Sequence, residues 1–97
     1  MYVVLLNYTA TLDEIDAALG AHVAWLEKHY AQGNFVASGG RKPRTGGVII
    51  AHRMDRGRLD EILVTDPFAV KGLAEYDVVE FAATKTAPEL SAYKETS

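Results

Sequence analysis

Apolar positions fall into four short runs and two longer periodic stretches. Residues 2–8 (YVVLLNY) are β-branched or aromatic, apolar almost throughout and of strand length. They predict a central strand, covered on one face and packed on the other. Thr11 followed by Glu14 has capping-box spacing and opens a helix. From Leu12 to Gln32 the residues Ile15, Leu19, His22, Leu26 and Tyr30 recur at steps of three and four, which predicts one buried stripe. Gly33-Asn34 stops this helix. Gly20, about 1 kcal/mol worse than alanine in a helix interior, marks a candidate break between a short helix and a main one. Phe35 to Ser38 is a second strand running into Gly39-Gly40, and a polar loop from Arg41 to Gly46 follows. Gly47 to Arg53 is the third strand. Asp55 caps a second helix that turns Leu59, Ile62 and Leu63 inward. Asp66-Pro67 ends or redirects that helix, because the residue before proline is pushed out of helical geometry. A short helical turn through Lys71 closes at Gly72, and Tyr76 to Thr86 contains the fourth strand. The tail after Pro88 is small, polar and weakly helical, an arm for a partner or a frayed end.

The order β-α-β-β-α-β predicts an α+β domain of ferredoxin-like type, a four-stranded antiparallel sheet with two helices on one face. Two helices leave the other face bare, and a large exposed apolar patch is unusual on a monomer, so a homodimer through the open sheet face is expected. With 97 residues there is room for a single domain and one core. The core spans 1–86 and the tail 87–97.

Composition narrows the classes without choosing among them. Hydrophobic residues at 48% and charged residues at 24% are ordinary for a folded domain. Cysteine is absent, which excludes thiol catalysis and makes a reducing cytoplasm the expected location. The first ten residues lack a basic segment, and their apolar run is too short for a leader or membrane span. A formal net charge of -3 points away from nucleic acid. Six of the ten Lys and Arg residues nevertheless lie between Arg41 and Arg58. They are solvated surface charges or a local attraction for an anionic small molecule.

Topology places the candidate chemistry. Strands one and two run parallel, so Tyr8, Ser38 to Arg41 and Asp66 converge at one end of the sheet. A break at Gly20 brings His22 to that end; an unbroken helix carries it farther along. His22 sits in an apolar stripe, where a core histidine and an acid/base histidine look alike. Beside a carboxylate, an imidazole has its tautomer fixed and its charged form favoured, so the free nitrogen can exchange a proton near neutral pH. His29 is a rival on nearly the same helix face, and His52 lies in the third strand. No histidine pair has the i, i+4 spacing of a helical zinc site, so no metal is expected. The glycines at 39, 40, 46 and 47 lack the strand-loop-helix setting of a phosphate loop, and Ser38 has no elbow motif.

The segment His22-Val-Ala-Trp25-Leu26, then Gly33, Phe35 and Ser38-Gly39, then Asp66-Pro67-Phe68 and Gly72-Leu73 resembles the YCII-related (YciI-like) family. The likeness runs from Met1 to about Thr86, and its strongest part is the DPF triplet with glycine four residues later. The resemblance implies membership of the dimeric α+β barrel group, a homodimer, and a site holding a His-Asp pair, His22 with Asp66. It places Ser38 and Gly39 on the strand end lining the pocket. Two departures stand out: many members carry an arginine shortly before the site histidine, where this chain has Ala18 to Ala21, and the loop from Arg41 to Gly46 is short. The few activities suggested for the family are lyase- or isomerase-like and need no cofactor.

The expected function is therefore a cofactor-independent enzyme, with no membrane partner. His22 is the general acid or base, Asp66 orients it, Arg41 foremost among the loop cations holds an anionic or enolisable substrate, and Tyr8 and Phe68 complete the pocket. The alternatives are a non-catalytic small-molecule-binding or accessory dimer, and an interaction module using the sheet face.

Overall fold

A computed structural model describes residues 1–96. Strand β1 (Tyr2–Tyr8) is followed by helix α1 (Leu12–Ala31), strands β2 (Phe35–Gly40) and β3 (Gly46–Ala51), helix α2 (Arg56–Leu63), the single-turn helix α3 (Pro67–Val70) and strand β4 (Ala74–Glu80). The sheet order is β2-β3-β1-β4, and every neighbouring pair is antiparallel. This is the ferredoxin-like arrangement, with β1 and β2 parallel in direction and the helices on one face.

Alternation along the strands separates the two faces. Tyr2, Val4 and Leu6 of β1 and Ile49 and Ala51 of β3 are buried beneath the helices with Phe35 of β2. Val3, Leu5, Val48 and Ile50 point the other way and are half-buried, and Val79 of β4 is exposed there. On the helical side Leu59, Ile62, Phe68 and Ile15 complete the core.

Helix α1 is continuous across Gly20, and the expected break is absent. Capping by Thr11, whose hydroxyl accepts from the Glu14 N–H at 3.2 Å, and packing along the whole length outweigh one glycine. The buried stripe also differs from the periodic one. It consists of Ile15, Ala18, His22, Trp25 and His29, while Leu19 and Tyr30 are over one-third exposed. The apolar arc of this helix is wider than one stripe, and contact with the sheet chose the row carrying Trp25.

Strand β3 ends at Ala51, short of the expected Arg53, and β4 begins at Ala74, ahead of the expected Tyr76, and ends at Glu80. Arg53 turns the chain out with φ 59. The tail folds back on its own chain through a 3₁₀ segment, Pro88–Tyr93. Glu95 accepts from the Met1 ammonium at 2.7 Å and from the Ala83 N–H at 2.9 Å, and Tyr93 lies edge-on to His52.

Candidate functional site

A cavity of about 520 Å³ opens between α1 and the β2–β3 end of the sheet. Its walls are apolar where the helix and central strands meet it, with Leu19, Val23 and Leu26 from α1 and Leu6 and Ile49 from the sheet. The β2–β3 side contributes Gly39, Gly40 and Gly47 beside the side chains of Ser38, Val48 and Ile49. A Cβ built on Gly39 or Gly40 would meet nothing within 4 Å.

His22 lines this cavity with Phe68 and Tyr8. Asp66 does not reach the wall. It is completely buried behind His22, where its Oδ1 accepts from His22 Nδ1 at 2.7 Å and from the Phe68 N–H at 3.1 Å, and its Oδ2 accepts from the Tyr76 hydroxyl at 2.5 Å. Local sequence explains the placement: Pro67 begins α3, and Asp66 is its N-cap. The same oxygen that caps α3 thus holds the imidazole. Three donors on one buried carboxylate satisfy the requirement that a buried acid be hydrogen-bonded.

The carboxylate only accepts, so Nδ1 of His22 carries a proton and the neutral ring presents Nε2 as its acceptor. Nε2 has no protein partner among the described residues and is not sealed from solvent. Phe68 stacks on the ring at 4.1 Å between centroids and 9° between planes, and Trp25 lies at 5.7 Å. Trp25 is itself anchored to Thr65 by a 2.9 Å hydrogen bond, so the ring is held by packing as well as by Asp66.

The other histidines are elsewhere. His29 pairs through Nδ1 with the Asn34 amide at 3.0 Å, and its Nε2 is buried without a partner among the described residues. Burial first, then Lys28 and Arg58, holds its pKa below the usual histidine value. His52 is likewise lowered, by burial and then by Arg53. Tyr76 is displaced upward by burial first and then by its bond to Asp66, so its hydroxyl remains a donor. No cluster of three or more His, Asp or Glu side chains fit to hold a metal occurs among the described residues.

The loop cations divide by their partners. Arg41 borders the cavity, but its guanidinium donates to Asn7 Oδ1 at 2.8 Å, and Asn7 in turn donates to Asp77 at 3.1 Å. Arg44 pairs with Asp16 of α1, joining the loop to the helix near the cavity rim. Lys42, also on the rim, has no ion pair or hydrogen bond among the described residues. Ser38 faces the cavity and shares a 2.7 Å hydrogen bond with Tyr30.

His22, Ser38, Gly39, Arg41, Tyr8 and Phe68 therefore surround one cavity, with Asp66 in contact behind them. The continuous helix was expected to carry His22 away from Asp66; instead the pair meets at 2.7 Å, because α3 descends onto the middle of α1. Tyr76 was missed. The signal for it is its register opposite Leu6, which turns its ring toward the helices, but its hydroxyl's partner is not legible from spacing.

A family model for the YCII-related domain matches residues 1–82. The chain belongs to the YCII-related family. Its four-stranded antiparallel sheet with helices on one face is the α+β ferredoxin-like architecture expected from the sequence. Among solved structures, a 5-chloro-2-hydroxyhydroquinone dehydrochlorinase from Burkholderia phenoliruptrix, in complex with 2,5-dihydroxybenzoquinone, superposes with a TM-score of 0.70 at 20% identity. The alignment covers 84% of this chain and 93% of that one. At this identity the likeness concerns the fold. No curated protein matches the sequence. No helix among the described residues is long and apolar enough to cross a membrane.

Proposed function

We propose that this YCII-related protein is a small-molecule enzyme of lyase or isomerase type that moves a proton with His22 and needs no cofactor. The observation that carries the reading is the buried 2.7 Å pair of His22 and Asp66, whose unpartnered Nε2 belongs to the ring bordering the cavity. In an elimination, Nε2 takes a proton from the substrate carbon. The C–H electrons form the new double bond, and the leaving group departs with its own pair. In an isomerisation, His22 returns the proton to another atom. Asp66 keeps Nδ1 protonated throughout and stabilises the imidazolium that forms, the division of labour of a base and its orienting acid. Positioned proton transfer of this kind contributes about 10²–10⁴-fold. Apolar walls with loop cations at the rim favour a small anionic substrate, and Lys42 rather than Arg41 is the cation left without a partner. The dehydrochlorinase of like fold acts on, and is solved with, small oxygenated rings, which supports the size and chemistry suggested here.

The test is a titration with 2,5-dihydroxybenzoquinone, followed by the histidine ring resonances. His22 alone is expected to respond, and His22→Asn, in which the amide can still reach Asp66, is expected to stay folded and lose the response. If the wild type does not respond at millimolar concentration and His22→Asn merely lowers Tm, the ring is a core residue and the proposal is wrong. We also infer a homodimer through the face bearing Val3, Leu5, Val48, Ile50 and Val79, whose half-exposed apolar side chains form one surface. Equilibrium sedimentation decides this, and a monomer at micromolar concentration contradicts it.

A further inference from the structure

The carboxylate behind His22 is held on two sides, and only one of them belongs to the pair described above. Oδ1 serves His22 and the α3 backbone, while Oδ2 is held by Tyr76, which reaches across from β4, the strand at the edge of the sheet far from the cavity wall. At 2.5 Å this is the shortest hydrogen bond that the carboxylate makes. Tyr76 is half-buried and does not border the cavity. It lines a shallow groove on the opposite side with Arg56 and Asp60 of α2. A bond of this kind, with a neutral donor on an ionised and fully buried acceptor, is among the stronger hydrogen bonds a protein makes.

We propose that Tyr76 is the positioning residue of this site, fixing the Asp66 carboxylate against rotation and setting how tightly His22 holds its proton. The inference rests on His22 and Asp66 forming the working pair. Each donor that a carboxylate accepts spreads its charge. With the Tyr76 hydroxyl in place, Asp66 stabilises the imidazolium less than a carboxylate bonded to His22 and the Phe68 amide alone. Without it, the charge concentrates toward His22 and the imidazolium is favoured. Tyr76 thereby weakens the retention of the proton after abstraction, which suits a group that must release what it takes.

Other charges facing the network are accounted for. From β1, Tyr8 borders the cavity beside His22; from the β2–β3 loop come Arg41, Lys42 and Arg44; from α1 comes Asp16, paired with Arg44; and from α2 come Arg56 and Asp60, paired with each other at 2.9 Å. None of these makes a hydrogen bond to His22, Asp66 or Tyr76.

Tyr76→Phe tests the proposal, since it removes one oxygen and keeps the ring. In histidine NMR titrations of the full chain, the His22 midpoint is expected to rise relative to wild type. The His29 and His52 midpoints should stay where they are. A merely structural tyrosine would lower Tm and leave the His22 midpoint within a tenth of a unit of wild type; that result overturns the proposal, as does a downward shift. Val78→Ala, on the same face of β4, is the control for loss of packing and is expected to leave the His22 midpoint in place. The readout needs no substrate, so a failure here is distinguishable from a failure of the enzymatic reading. Loss of the 2,5-dihydroxybenzoquinone response in wild type would sink that reading while leaving the titration result standing.

Discussion

Replacing Asp66 by asparagine removes a charge from the site and very little else. Oδ1 accepts from both His22 Nδ1 and the Phe68 N–H, at 2.7 and 3.1 Å. The Phe68 amide belongs to the backbone of α3 and cannot turn away, so it holds the asparagine oxygen where Oδ1 was. The new NH₂ then faces the Tyr76 hydroxyl, which can accept as well as donate. His22 keeps its acceptor and its tautomer. Hydrogen bonds to a charged group contribute about 1.5–3 kcal/mol against about 1 for neutral ones. Part of that loss is offset, because a buried carboxylate no longer has to be stripped of water. The net cost is expected to be about 1–2 kcal/mol, which for a domain of this size lowers Tm by roughly 4–16 °C. The electrostatic effect is more diagnostic. Asp66 is the opposite charge within hydrogen-bond distance of the ring, so removing it disfavours the imidazolium and the His22 midpoint should fall relative to wild type. Histidine NMR titration measures this directly, with His29 and His52, neither bonded to Asp66, as internal references. If His22 titrates in the variant as it does in wild type, the pair is not coupled and the acid/base reading of the site fails.

Three further outcomes follow from the packing. His29 and His52 are both held below the ordinary histidine value, so the unfolded chain binds their protons more readily. Their stabilising contribution is complete above about pH 6.5 and is lost as pH falls from there toward the folded-state values. Thermal melts between pH 7.5 and 5 should show this decline, and His29→Leu should remove up to about 1.4 kcal/mol per pH unit of the slope; an unchanged slope contradicts the assignment. Gly20→Ala should raise stability by about 0.4–1 kcal/mol, because the residue is exposed in a continuous helix and a Cβ there meets nothing within 4 Å. A lower Tm would mean that α1 breaks at this point in solution. Gly46→Ala should cost about 3 kcal/mol or prevent folding, since its Cβ would lie 1.8 Å from the Leu6 carbonyl oxygen and force β1 from β3; a wild-type melting curve would refute that close approach.

The elements were legible in the chain because each rests on local chemistry. Residues 2–8 favour strand geometry, Thr11 and Asp55 cap the helices they precede, and Asp66-Pro67 redirects the chain into a new helical turn. The order of these elements then leaves few topologies. His22 and Asp66 could be named as candidates from residue type and family resemblance, yet nothing in spacing could bring positions 44 apart to 2.7 Å. That distance was decided by tertiary packing. The sheet chose Trp25 and His29 over Leu26 and Tyr30 as the buried row of α1, which released Leu19, Val23 and Leu26 to wall a cavity. Likewise, Arg41 reads as the foremost anion holder until Asn7 and Asp77 occupy it, and Tyr76 reads as an ordinary strand residue until its hydroxyl meets Asp66. Backbone preferences act over a few residues and are written locally. The partner of a side chain depends on which elements share a face, and that is fixed only when the whole core is packed.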